Sequence, residues 1–170
     1  GLIELSRRLY ALGFATNDLL ENVLSWIKSQ GKQVIARKSN IDLKEFIDRV
    51  ILTQKPAAEI KSVAINNRVE PGISIHTDAD MLSTVVRNLI SNAIKFSSSG
   101  GRVDVFAFPK GNHVEISITD YGVGMPRETT DRLFNTLESL TQPGTMNEQG
   151  SGLGLIICNQ LVTDLGGQIK

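Results

Sequence analysis

Arg87-Asn88-Leu89-Ile90-Ser91-Asn92-Ala93-Ile94-Lys95-Phe96 reads as the second half of a helix with two unlike stripes. At ~3.6 residues per turn, Asn88, Asn92 and Lys95 fall at i, i+4 and i+7 and share one line along the cylinder. The neighbouring row, Leu82, Val85, Leu89, Ala93 and Phe96, has the apolar spacing of a helix packed on a core. The polar row therefore lies beside the buried face, where two carboxamide oxygens can hold a hard cation and the Lys95 ammonium can reach a phosphate. Taken alone, the same row reads equally well as the solvated shoulder of an ordinary core helix. Two glycine motifs downstream decide between these.

The 170 residues suffice for one or two domains with a proper core. Lysine and arginine, 18 together, balance 18 acidic residues, and a formal charge of zero argues against a nucleic-acid or membrane-surface binder that works through bulk electrostatics. The single cysteine, Cys158, can form no internal disulfide; it fits a reducing compartment as a passive core thiol. No signal peptide and no apolar run near ~18 residues is present, so membrane contact is expected only through segments outside this sequence.

From Leu2 to Gln30, the positions Leu2, Leu5, Leu9, Leu12, Thr16, Leu19, Val23, Trp26 and Gln30 step by three and four, a heptad seam that wants a partner helix. Leu20, Leu24 and Ile27 widen the stripe, which suggests a four-helix arrangement made by a homodimer; the alternative is one helix lying on its own domain. Gly31 ends it. Val34 to Ile41 reads as a short strand, weakened by Arg37-Lys38-Ser39-Asn40. Asp42 begins a second helix with Leu43, Phe46, Ile47, Val50 and Ile51 inward, which Pro56 either interrupts or divides. Val63 to Val69 and Ile73 to His76 are expected strands around the turn Pro71-Gly72, and Asp78 is placed to cap the helix described first. Val103 to Phe108 and Val114 to Thr119 form an expected antiparallel hairpin through Pro109-Lys110-Gly111-Asn112. Gly152 to Leu165 closes the chain as a helix with Leu153, Ile156, Ile157 and Leu161 inward, and Gln168 to Lys170 look like the start of a strand.

In the strand ending at Asp120, alternation points Val114, Ile116, Ile118 and Asp120 to one face. A carboxylate in that register needs a donor. An exocyclic amine such as adenine N6 would serve, and Gly122 and Gly124 let the backbone approach a flat ring. Gly150-Ser151-Gly152-Leu153-Gly154 opens the closing helix with unobstructed N–H groups, an anion site suited to phosphate. It is neither the dinucleotide fingerprint nor a Walker A sequence. Between the two clusters, the polar run Asn135 to Gln149 has the length of a lid, with Leu133 and Phe134 at its root.

Together N-x-x-x-N-x-x-K-F, D-x-G-x-G and G-x-G-L-G-L resemble, in order and spacing, the nucleotide-binding domain of sensor histidine kinases, within the fold shared with gyrase, MutL and Hsp90. The resemblance covers Ile41 to the end, and Leu2 to Gln30 resembles the second helix of the dimerisation and phosphotransfer hairpin. It implies an α/β two-layer sandwich of mixed β-sheet and helices with a long N-terminal dimerisation helix, divided into residues 1–31 of that hairpin and residues 32–170 of an ATP-binding catalytic domain truncated at its C-terminal end. Asn92, helped by Asn88, would ligate Mg²⁺; Lys95 would touch the phosphates, Phe96 would lie against adenine and Asp120 would accept from N6. Gly122, Gly124, Gly150, Gly152 and Gly154 would shape the pocket and the lid hinge. Asn88 and Lys95 are the expected catalytic residues. The implied activity moves the ATP γ-phosphate to a histidine and from there to a response regulator receiver domain, with a cytoplasmic location and no nucleic-acid partner.

In the hydrolytic relatives a glutamate replaces Asn88 to activate water; an amide cannot act as that base near neutrality, which favours transfer over hydrolysis. Three departures from the family stand out. Neither His76 nor His113 has the phosphoacceptor's helix context, so this chain alone is expected not to phosphorylate itself. Asn135 to Gln149 holds no lysine or arginine to face the γ-phosphate, leaving Arg132 or Arg127 as substitutes. The last strands of the family are not in the sequence. The competing functions are an inert nucleotide-responsive dimerisation scaffold and a hydrolytic ATPase of the same fold.

Overall fold

A computed structural model describes residues 1, 5, 13, 37–133, 142–146, 148 and 152–170. The expected helix Leu2 to Gln30 and its dimer seam therefore lie outside the described residues except at Leu5 and Gly13, as do Phe134, Gly150, Ser151 and much of the lid run. The described elements are β1 (Lys38–Asp42), α1 (Leu43–Lys61), β2 (Ala64–Asn67), β3 (Ser74–Asp78), α2 (Ala79–Phe96), β4 (Arg102–Lys110), β5 (His113–Asp120), α3 (Arg127–Arg132) and α4 (Gly154–Asp164).

The expected α/β architecture with a mixed sheet is what forms. β4 lies between β2, which it pairs in parallel, and β5, which it pairs antiparallel with Val105 opposite Ile118. β1 and β3 make a separate antiparallel pair. Lys38-Ser39-Asn40 does not weaken the first strand but makes up its exposed first part, while Ile41, opposite Ile75, fixes the pair to the core. The β4–β5 turn is tighter than expected: Pro109 and Lys110 stay in the ladder and only Gly111-Asn112 turns, with Gly111 at φ 62° in the first central position. No strand forms at Gln168 to Lys170.

Local chemistry sets the helix limits. The Asp42 carboxylate accepts from Glu45 N–H at 3.0 Å to start α1, which runs through Pro56 without a break and ends on left-handed Ser62. Asp78 starts α2 as expected, its Oδ1 accepting from the Asp80 and Met81 N–H groups at 3.0 Å each. Ser97 then turns extended and stops it.

α2 is buried on two adjoining faces, which corrects the single apolar row Leu82-Val85-Leu89-Ala93-Phe96. Leu82, Val86, Ile90, Ala93 and Ile94 join Leu43, Ile47 and Val50 of α1 and Val103, Val105 and Ala107 of β4 in the main core. Met81 and Val85, with half-buried Leu89, pack instead against Ile157, Cys158 and Leu161 of α4. A strict one-face pattern describes a surface helix; α2 is a central one, covered by sheet and α1 on one face and by α4 on the adjoining one.

Candidate functional site

The expected polar stripe lies along the α4 side of α2. Cys158 Sγ reaches Val85 O and Gly154 faces Asn88, so α4 runs antiparallel to α2 with its first residue at Asn88. Asn88 is buried, and its Nδ2 donates to Thr84 O one turn back at 3.0 Å. That bond turns Oδ1 toward the start of α4, where a Cβ on Gly154 would lie 3.1 Å from it. Asn92, half-buried, lies one turn further along, past the start of α4. No side chain of Leu153 caps α4, and Gly152 enters it at φ 70°, a conformation that favours glycine. A helix start of this kind presents N–H groups and a positive dipole end to an anion.

The Asp120 loop meets the other end of the stripe. Val123 N–H donates to Phe96 O at 3.3 Å, and Gly122 sits so close that a Cβ there would collide with the Phe96 carbonyl. The Gly122 N–H donates to Asp120 Oδ1 at 2.9 Å. Asp120 continues the register of Val114, Ile116 and Ile118, but it does not enter the core as the alternation suggested: its cross-strand partner Val103 is buried, while the carboxylate, at the end of the outer strand of the described sheet, is exposed at the rim. Gly124 completes the turn with φ 69°.

Part of the expected lid is described, and it folds onto Lys95. Lys95 Nζ lies 4.9 Å from the Phe96 ring centroid and donates to Gln142 O at 2.8 Å; Thr145 N–H donates to Lys95 O at 3.1 Å. Two residues that no sequence signal marked hold this segment. Lys61, 3% exposed at the end of α1, donates to Lys95 O at 2.5 Å and to Glu148 Oε1 at 2.6 Å. Glu148 in turn accepts from Met146 N–H at 2.8 Å. The expected lid thus has no cation of its own but offers an anion to a buried lysine of the body. Arg127 begins α3; the side chain of Arg132 lies outside the described residues, so neither substitution is placed against the site.

Burial pushes the Glu148 carboxyl up, but the hydrogen bonds from Lys61 and the Met146 backbone outweigh it and hold the group below the usual carboxylate range. A folded-state value below the unfolded one, ~4.3, gives a contribution that is complete above that pH and disappears as the pH falls through the folded value. Glu148→Gln is therefore expected to flatten the acid limb of the stability profile, measured by urea unfolding from neutral pH downward. An unchanged limb would mean that the ion pair contributes nothing.

Among the described residues no group of three or more His, Cys, Asp or Glu side chains is arranged to hold a metal. The donors present, the amide oxygens of Asn88 and Asn92, suit a hard ion that keeps waters and shares a phosphate, as Mg²⁺ does. His76 is in β3 with Nδ1 2.9 Å from Asn40 Oδ1, and His113 opens β5; both are exposed and neither is on a helix. No helix among the described residues is long and apolar enough to cross a membrane.

Comparison with known proteins agrees with this geometry. Residues 77–170, just over half the chain, match the family described as histidine kinase-, DNA gyrase B-, and HSP90-like ATPase. The chain is 25% identical over 153 residues to the sensor-like histidine kinase SenX3 of Mycolicibacterium smegmatis, covering 90% of this chain and 40% of that protein. The chain thus spans well under half the length of that relative. Among solved structures it is similar to the mycobacterial sensor histidine kinase MprB, with 31% identity, a TM-score of 0.61 and coverage of 76% of this chain and 80% of that one. Full-length ShkA in complex with AMPPNP shares the fold, with a TM-score of 0.71 at 23% identity over 89% of this chain and 32% of that one.

Proposed function

The chain belongs to the histidine kinase-, DNA gyrase B-, and HSP90-like ATPases as a histidine kinase ATP-binding catalytic domain, and from this premise we propose that it binds Mg²⁺-ATP and transfers the γ-phosphoryl group to a protein histidine. The observation that carries this reading is the convergence of three separate motifs on the second half of α2. The Asp120 loop meets Phe96, the lid segment meets Lys95, and the glycine start of α4 meets Asn88. The AMPPNP in the ShkA structure supports the choice of nucleotide.

In this reading Asp120 accepts from the adenine amine while Phe96 lies against the ring and Gly122 and Gly124 keep the approach open. The N–H groups around Gly152 and Gly154, with Gly150 before them, hold phosphate oxygens at the positive end of α4. Lys95 exchanges the Gln142 carbonyl for a phosphate oxygen. Asn92 and Asn88 would hold Mg²⁺, which supplies charge neutralisation on the phosphates. Transfer breaks the bond between the γ-phosphorus and the β,γ-bridging oxygen and forms a P–N bond to imidazole; ADP leaves with the bridging oxygen and the imidazole proton passes to solvent. Because Asn88 is an amide, the site positions the phosphoryl group without activating water, and slow hydrolysis is the expected accompaniment.

The acceptor histidine belongs to a dimerisation hairpin whose second helix is residues 2–30, in a homodimer, with onward relay to a response regulator receiver domain and a cytoplasmic location. Titration calorimetry with ATP is expected to show binding with Mg²⁺ and a large loss without it. A histidine-bearing hairpin supplied in trans is then expected to acquire an acid-labile phosphate from radiolabelled ATP. No nucleotide binding in either condition would remove the kinase reading, and ATP turnover to free phosphate without labelled hairpin would replace it with hydrolysis.

A further inference from the structure

The sheet face turned away from the helices carries a buried carboxylate that the site described above does not use. Val103 and Val105 of β4 point into the core with no exposure, so Asp104 between them points the other way, yet it is only 4% exposed. A carboxylate removed from water on an open sheet face is costly unless it is fully satisfied. Asp104 is satisfied from several sides. Its Oδ1 accepts from Asn66 Nδ2 at 2.8 Å with Arg68 Nε 3.6 Å away, and its Oδ2 accepts from the Tyr121 hydroxyl at 3.1 Å with Arg102 Nε 3.4 Å away. The hydrogen bond from Asn66 is the main reason its carboxyl stays below the ordinary range against the opposing effect of burial.

Tyr121 is the residue next to Asp120, and β4 grips it twice. Asp104 takes its hydroxyl, and the Arg102 guanidinium lies 4.2 Å from the centroid of its ring. Arg102 and Asp104 are two apart on one strand and so share a face, which places the cation over the ring and the anion at its tip. On the opposite side the next two residues are tied down by Phe96, through the close approach of Gly122 and the Val123 N–H bond at 3.3 Å. The backbone that carries Asp120 is therefore held between an inner anchor on α2 and an outer anchor on β4. With the inner anchor alone the loop could rotate about the Phe96 contacts and swing the carboxylate along the rim.

We propose that Asp104, Arg102 and the Tyr121 hydroxyl are positioning residues that fix the direction of the Asp120 carboxylate, and so set adenine recognition from the far face of the sheet. This rests on the nucleotide reading given above and adds to it a group of residues that touch no nucleotide. The arrangement aligns one acceptor with one donor. Its loss costs an adenine nucleotide more than a guanine nucleotide, whose carbonyl in the same place offers Asp120 no hydrogen.

Tyr121→Phe tests it, because the substitution removes one exposed-side hydroxyl and leaves the ring under Arg102. In the full chain, ATP affinity measured by calorimetry with Mg²⁺ is expected to fall about 3- to 10-fold, with GTP affinity nearly unchanged so that the ATP/GTP ratio falls by the same factor. Without nucleotide, amide exchange at Gly122 and Val123 is expected to speed up in the same variant. Asp104→Asn, which keeps an oxygen for the tyrosine, is expected to fall between wild type and Asp104→Ala in both measurements. Wild-type binding with an unchanged ratio and unchanged exchange in Tyr121→Phe overturns the positioning role alone. Equal losses for ATP and GTP overturn it too, since they would show a merely structural anchor. Absence of ATP binding by the wild type removes the nucleotide reading, and this inference with it.

Discussion

Replacing Gly122 with alanine is expected to destabilise the chain by about 1–3 kcal/mol, the range for forcing a methyl group into a filled space, and to reduce ATP affinity by at least ~10-fold. The added Cβ would lie 2.7 Å from the Phe96 carbonyl carbon and 2.9 Å from Asp120 Oδ1, and it would collide with the Phe96 carbonyl oxygen. Two of these three neighbours are main chain at the end of a helix and cannot swing aside. Relief requires the loop to withdraw from α2. Withdrawal breaks the Val123 to Phe96 bond and moves Asp120 away from the stripe of Asn88, Asn92 and Lys95. Gly124→Ala is the informative control: φ is 69° there, so alanine is strained by roughly 1 kcal/mol, but its Cβ meets nothing within 4 Å. Urea unfolding and calorimetry on both variants should therefore separate backbone strain from lost approach. Equal behaviour of the two would show that the contact with Phe96 is not what places the loop.

What the sequence could and could not disclose follows from the range of the forces involved. Asp42 and Asp78 were legible as caps because a cap is a bond between residues two or three apart. The β4–β5 hairpin was legible, though not how tight its turn is, because alternation and turn-forming residues are local. The amide stripe was legible as a line on a cylinder, but not its surroundings. Nothing near Val85 says that it packs on Cys158, more than 70 residues further along, so one buried side of α2 was inferred where there are two. Lys61 and Glu148 were invisible for the same reason. Each is an ordinary charged residue in its own segment, and only the fold brings the ammonium of one to the carboxylate of the other at 2.6 Å. Asp104 was not singled out in the sequence at all; its burial is the work of Asn66, Arg102 and Tyr121, drawn from other strands or loops or from two positions away. Asp120 shows the opposite error. Its alternation was right and its burial was not, because period alone cannot say that a strand lies at the edge of its sheet.

Asp120→Asn is expected to weaken ATP binding by about 10- to 100-fold, the equivalent of one charge-assisted hydrogen bond at about 1.5–3 kcal/mol. The substitution is nearly silent for the fold. The carboxylate is exposed, its one described bond is accepted from Gly122 N–H, and an asparagine oxygen can accept that bond in the same place. What changes is the other terminal atom. An oxygen that accepts from an exocyclic amine becomes an amide nitrogen that donates, so donor faces donor across the same gap. An inosine nucleotide reverses the argument, since its ring carbonyl accepts where adenine donates. Calorimetry with ATP and ITP on the wild type and the variant should thus show the ATP/ITP preference fall much further than stability does, and with it the case for a purine seated against the end of β5. An ATP affinity left intact would place the adenine elsewhere on α2 and detach Asp120, together with the clamp on Tyr121, from nucleotide recognition.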